Sequence, residues 1–90
     1  MIMSNLQAHL KSIPSWKLSA KENSISKTYP FSTYLQGIEF VNKVARLAES
    51  ANHHPDILIK YHQVIIDLQT HDAGGLTEKD FSLARQIDQI

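Results

Sequence analysis

Polar and apolar positions change period several times along this chain, and each change marks an element. Leu6, Ala8 and Leu10 follow Ser4, which suits a short first helix capped by Ser4 and ending near Lys11; Pro14 in "SIPS" breaks the chain behind it. Trp16, Leu18 and Ala20 then alternate with Lys17 and Ser19. Ile25, Lys27 and Tyr29 alternate with Ser26 and Thr28, and "KEN" lies between the two runs. Alternation around a polar tripeptide predicts a β-hairpin.

The period becomes helical after Pro30. Ser32 is the expected N-cap, and the helix is expected to run to about Ala51. Gln36, Glu39, Lys43, Arg46 and Ser50 form a polar stripe. Two apolar stripes flank it: Tyr34, Ile38, Val41, Ala45 and Ala48, then Phe40, Val44, Leu47 and Ala51. A face this wide asks for cover on more than one side, from a sheet and from helices or a second subunit. Asn52 tolerates the left-handed conformation that ends helices. "ILIK" and "QVIIDLQT" read as two strands with "YH" near their turn; Val64, Ile66 and Leu68 share one face, Ile65, Asp67 and Gln69 the other. "HDAGG" reads as a loop. Thr77, with Asp80 three positions on, opens a last helix through Phe81, Leu83, Ala84, Ile87 and Ile90. The predicted order is α-β-β-α-β-β-α. It implies an α+β fold, a four-stranded antiparallel sheet with three helices packed on one face.

Ninety residues are expected to form a single domain, 1–90. A chain of this size buries roughly 60–65% of its unfolded surface, so oligomerisation would help it. Nine basic and nine acidic side chains give a formal charge of zero, without the basic run a nucleic-acid binder needs. No apolar run approaches the ~20 residues of a membrane span. "MIMSNLQAHL" lacks the basic and apolar regions of a secretory signal. The absence of cysteine removes disulfides and thiolate metal sites and suits a cytoplasmic location.

Histidine changes the picture. There are five, and "ESANHHPD" places two side by side. Imidazole exchanges protons near neutral pH, as general acid–base catalysis requires. Pro55 pushes His54 into an extended conformation, so His53 and His54 point apart. Glu49 lies four residues before His53 and can reach its ring if the last helical turn persists. His71 follows the second hairpin's return strand, and Asp72 beside it can orient it or bind substrate amino groups. Three alternatives stand at this point. The histidines serve proton transfer, they cap and solvate as surface histidines do, or His53, His54 and His71 offer three nitrogens to a metal. Against the metal, adjacent extended histidines diverge, and no HExxH motif is present. His9 and His62 read as surface residues. Trp16 and Tyr61 can stack on a flat ring, but core packing is the expectation for both.

The spacing Glu49, three residues, His53-His54-Pro55, five residues, Tyr61, nine residues, His71, eight residues, Asp80 resembles the signature of the pterin-4a-carbinolamine dehydratases, also known as dimerisation cofactors of a homeodomain transcription factor. Trp16 matches a tryptophan opening that family's first strand. "FSTYLQGIEFVNKVARLAE" resembles its long helix, and "THDAGGLTEKDFSLARQID" its loop and closing helix, so the resemblance spans roughly residues 14–90. Asn52 stands where the family often has aspartate, and Ile57 where an aromatic often follows.

The resemblance implies the same α+β fold and a homodimer or homotetramer joined through strand edges and helices. It implies a hydro-lyase that removes water from a 4a-hydroxy-tetrahydropterin with no metal or organic cofactor, downstream of an aromatic amino acid hydroxylase. By similarity, His53 and His71 take the acid–base roles and His54 binds and orients the pterin. Glu49 supports His53 or contacts the ring, and Asn52, Pro55, Thr70 and Asp72 belong to the substrate site. A binding or transcriptional cofactor module with the same fold is the alternative function; a metal-dependent hydrolase is a further one.

Overall fold

A computed structural model describes residues 5–90, so the predicted cap Ser4 lies outside the described residues. The elements are α1 (Leu6–Lys11), β1 (Lys17–Leu18), β2 (Ile25–Pro30), α2 (Tyr34–Ala51), β3 (Asp56–Ile59), β4 (Gln63–Leu68), a 3-10 turn (His71–Ala73) and α3 (Glu78–Asp88). Their order is the one the periodicity predicts. The four strands form one antiparallel sheet in the order β1-β2-β4-β3. The chain therefore passes over the sheet in α2 before its second hairpin returns beside β2.

Register places Ile25 opposite Leu68, Lys27 opposite Ile66 and Tyr29 opposite Val64, with Ile57 and Ile59 continuing the same face on β3. Val64, Ile66 and Leu68 are fully buried on that face, as their alternation requires. Phe40, Val44 and Ala48 of α2 and Phe81, Leu83, Ala84 and Ile87 of α3 complete the core with Ile13, Trp16 and Leu76. Burial of each large side chain here stabilises the fold by roughly 1.5–3 kcal/mol relative to exposure. At Gly37 α2 packs close to β4: a Cβ there would stand in ordinary van der Waals contact, 3.4 Å from Val64 and 3.5 Å from the Phe31 ring.

Several expectations shift. The N-cap of α2 is Thr33, one residue after Ser32. Thr33 Oγ1 accepts from the Gln36 N–H, and Gln36 Oε1 accepts from the N–H groups of Ser32 and Thr33. The glutamine three positions on selects threonine by closing this reciprocal box. β1 is only two residues long, and Trp16 precedes it, packed in the core. Its indole N–H donates to Asp88, whose carboxylate also accepts from the Lys27 ammonium (2.8 Å) and the Tyr29 hydroxyl (2.6 Å). This hub joins the first hairpin to the end of α3. Tyr61 is 72% exposed, beside the rings of His62 and Tyr34, so core packing does not hold for it. Ile90 lies beyond α3. α2 buries only its Gly37, Phe40, Val44 and Ala48 line; Tyr34, Leu35, Ala45 and Ala51 stay exposed.

Candidate active site

Three chain segments meet at one end of the sheet: the exit of α2, the turn after β4, and the start of α3. Each is placed by its own local chemistry. α2 stops at Asn52, which adopts φ 50, ψ 43, the left-handed region that asparagine tolerates best after glycine. The N–H groups of Asn52 and His53 then donate back to Glu49 O (3.2 Å) and Ala48 O (3.1 Å). The reversal carries His53 inward, beneath the start of α3, and leaves His54 outside.

The second segment is pinched shut. Thr70 N–H donates to Gly75 O (2.9 Å) and Gly75 N–H to Thr70 O (3.3 Å), an isolated bridge that closes the intervening residues into a turn. Gly74 makes the reversal at φ +73, where a side chain is rarely tolerated. His71 and Asp72 occupy the 3-10 part of this turn and are exposed.

The third segment supplies Asp80, whose carboxylate is fully buried. An unpartnered carboxylate there would be costly, yet both of its oxygens are served. Oδ2 accepts from Thr77 N–H (2.9 Å) and the Thr70 hydroxyl (2.8 Å), and Oδ1 accepts from His53 Nε2 (2.6 Å). One carboxylate thus caps α3, ties in the turn after β4 and fixes the His53 ring. With Nε2–H committed to Asp80, Nδ1 is the nitrogen left to exchange a proton. The ring and carboxylate side chains are 10% and 0% exposed, so the pair is rigid and shielded from solvent.

These segments enclose a cleft of about 340 Å³ lined by Asn52, His53, His54, Gln69, Thr70, His71, Asp72 and Lys79. Its volume falls within the ~300–1,000 Å³ typical of small-molecule sites. A roomier hollow of about 580 Å³ lies between α2 and the end of α3, lined by Lys43, Arg46, Leu47, Ser50, Gln86, Gln89 and Ile90. It is lined by no histidine, aspartate or glutamate side chain, so the smaller cleft is the better-equipped one for proton transfer.

All three predicted histidines, with Asn52, Thr70 and Asp72, line the cleft. Pro55 and Glu49 do not. Pro55 acts one step removed, by fixing the backbone after His54. Glu49 does not support His53: its Oε2 meets His54 Nε2 at 2.5 Å, and both side chains are largely exposed. The helix ends at Ala51, so the helical offset from Glu49 to His53 no longer applies, and the Asn52 reversal brings His54 to it instead. Asp80 takes the supporting role. From sequence it is a helix cap at a family offset, and nothing periodic relates residue 80 to residue 53. Gln69 and Lys79 were not predicted either. His9 bonds Asn5 O and Glu78 at the surface, and Trp16 and Tyr61 stay outside the cleft. Among the described residues no group of three or more histidine, aspartate or glutamate side chains is arranged to hold a metal ion, so the three-nitrogen alternative finds no ligand set.

Comparison with known proteins places the chain in a family. Residues 2–90 match the family model described as pterin 4 alpha carbinolamine dehydratase. A protein of Picosynechococcus sp. named "Putative pterin-4-alpha-carbinolamine dehydratase" is 48% identical over 94% of this chain and 90% of its own length. A protein of the same name from Chloroflexus aggregans is 54% identical over 91% of this chain and 86% of its own. Among solved structures, a transcriptional coactivator/pterin dehydratase from Brucella melitensis superposes with a TM-score of 0.91 at 26% identity, covering 99% of this chain and 95% of that one. A pterin dehydratase-like protein identified as a RuBisCO assembly factor in the alpha-carboxysome superposes at 0.71 with 28% identity, covering 83% and 87%. The chain belongs to the pterin 4 alpha carbinolamine dehydratase family.

Proposed function

We propose that this family member is a hydro-lyase that removes water from a 4a-hydroxy-tetrahydropterin, with His53 and His71 exchanging the protons. The observation that supports it most is the single cleft that gathers His53, His54 and His71 while a buried Asp80 braces His53. In the substrate, the C4a–O bond breaks as the N5 lone pair forms the C4a–N5 double bond. The leaving hydroxyl needs a proton to depart as water, and N5 must release one to leave the neutral quinonoid dihydropterin. One imidazole donates and the other accepts, so no net proton is consumed. His71, exposed on its turn, can exchange protons with water between turnovers; His53, shielded and bonded to Asp80, holds a fixed geometry. His54, steadied by Glu49, orients the ring, with Asn52, Thr70 and Asp72 available to its polar edge. The chemistry needs neither metal nor organic cofactor.

Such a step follows an aromatic amino acid hydroxylase, which leaves its tetrahydropterin as the 4a-hydroxy adduct, and a cytoplasmic location suits it. Among the described residues no helix is long and apolar enough to cross a membrane. A homo-oligomer is part of the same reading, supported by half-exposed Leu58 and Ile59 on edge strand β3 and by exposed Tyr34 and Leu35 on α2.

The test is the rate of water loss from enzymatically generated 4a-hydroxy-tetrahydropterin, followed by absorbance. Wild type is expected to accelerate it. His53→Ala and His71→Ala are each expected to lose about 10²-fold or more, the lower range of general acid–base contributions. A wild-type rate equal to the uncatalysed one would refute the proposal. The second reading, a non-catalytic assembly module, draws on those same exposed surfaces and on the assembly factor that shares the fold. It predicts a partner interaction that survives His71→Ala.

A further inference from the structure

Lys79 lines the histidine cleft and has no part in the proton transfers. Its ammonium makes no ion pair or side-chain hydrogen bond among the described residues, although Asp72 lines the same cleft and Glu78 precedes it. Glu78 is committed elsewhere: its carboxylate accepts from Arg85 Nη2 (2.6 Å) and His9 Nε2 (2.6 Å). The Arg85 bond, with help from His9, holds that carboxyl below the usual range, so Glu78 stays charged and bound to them. Lys79 therefore brings an unspent positive charge to the cleft.

That charge does not suit the reacting atoms. As hydroxide leaves C4a, the ring gains positive charge until N5 releases its proton, and a nearby ammonium opposes this step. It suits a different part of the substrate. Lys79 also lines a second hollow of about 300 Å³, with Ala51, Glu78 and Ser82. Ser82 Oγ accepts from the Gln86 amide at 3.4 Å, which leaves its hydroxyl proton free to donate. In a pterin, C6 is bonded to N5, so the C6 substituent leaves the ring beside the atoms that His53 and His71 must flank.

Resting on the dehydratase reading for the placement of the ring, we propose that Lys79 and the adjoining hollow form a subsite for the C6 substituent, selecting pterins whose side chain ends in a phosphate monoester. Lysine binds such a group as a point charge, and the Ser82 hydroxyl supplies a donor beside it, while the Glu78 carboxylate of the same hollow is already engaged by Arg85 and His9, which offset its charge. Ala51 offers a small apolar wall to the carbon chain between ring and phosphate.

Two probes separate this subsite from the reaction: 6-(trihydroxypropyl)pterin and its terminal phosphate ester, titrated by pterin fluorescence at low and high salt. Wild type is expected to bind the ester roughly fivefold more tightly at low salt, the upper range for a partly exposed charge pair, and to lose the preference as salt rises. Lys79→Ala is expected to abolish the ratio, Lys79→Arg to keep it and Lys79→Glu to invert it. Equal affinities in wild type, or a preference that survives Lys79→Ala, would overturn the assignment. The same ratio is then read in kcat/KM with the two 4a-carbinolamines. If wild type accelerates neither yet still binds the ester more tightly through Lys79, the dehydratase reading falls and the anion subsite stands.

Discussion

Removing the Asp80 carboxylate would untie Thr77, Thr70 and His53 together, because all three donate to it. Asp80→Ala is expected to cost about 3 kcal/mol in urea unfolding, as breaking a buried, hydrogen-bonded pair does. Asp80→Asn keeps the shape but loses the charge that steadies the His53 ring, so dehydration should slow at least about tenfold with a smaller loss of stability. Asp88 makes a separate prediction. Burial pushes its carboxyl up, but the hydrogen bonds from Lys27, Tyr29 and Trp16 outweigh burial and hold it below the ordinary carboxylate range. A carboxyl depressed in the folded state stabilises the fold above its unfolded pKa of about 3.9. That contribution is lost as pH falls through the lower folded value. Thermal unfolding followed by circular dichroism should show a steep loss below about pH 4 that is shallower in Asp88→Asn. A slope unchanged by that substitution would remove Asp88 as its source.

At the scale of elements, two backbone reversals set the cleft. Asn52 and Gly74 both sit at positive φ, and neither site tolerates a branched or bulky residue. Gly74→Ala adds a methyl that meets nothing within 4 Å, so its cost is conformational alone, about 1 kcal/mol in denaturant unfolding. Asn52→Gly is expected to be near neutral and Asn52→Ala to cost about the same 1 kcal/mol. The sequence carried much of this. Asn52 announced the end of α2, alternation at Val64, Ile66 and Leu68 announced the buried face of β4, and Thr77 with Asp80 announced α3. Where it misled, the reason was a competing partner. Gln36 drew the α2 cap from Ser32 to Thr33. Tyr61 lies at the hairpin turn, as expected, but that turn is exposed and offers its ring no core to pack into. The histidines could be read as a group because His53 and His54 are adjacent and His71 lies at a family offset. The Asp80–His53 contact could not, because it depends on how α3 packs against the exit of α2.

The whole molecule has two unequal sheet edges. β1 offers two residues, whereas β3 offers four, with Leu58 53% and Ile59 39% exposed. An edge with apolar side chains and unpaired backbone groups favours pairing with another strand. Leu58→Lys is therefore expected to lower the sedimentation coefficient towards that of a single chain without changing the far-ultraviolet dichroism. A wild type that already sediments as one chain would remove β3 as an assembly edge. The outer face of the sheet carries a second signal. Asp56 pairs across the strands with Asp67, and partial burial, reinforced by the Asp56 charge, pushes the Asp67 carboxyl up. A raised carboxyl binds its proton more tightly when folded, so ionisation at neutral pH works against the fold. Asp67→Asn should consequently raise the melting temperature at pH 7 and not at pH 3.

Trp16 is the only tryptophan in the chain, and its indole is anchored to Asp88 at the far end of α3 from Asp80. Eight residues of helix put roughly 12 Å between those two carboxylates along the axis. The protein thus carries its own fluorophore in a dry, fixed setting away from the cleft. Its emission should be blue-shifted in the native state and move to the red only when the hairpin parts from α3. A cleft variant that loses turnover but keeps this emission has lost chemistry, and one that shifts it has lost its fold.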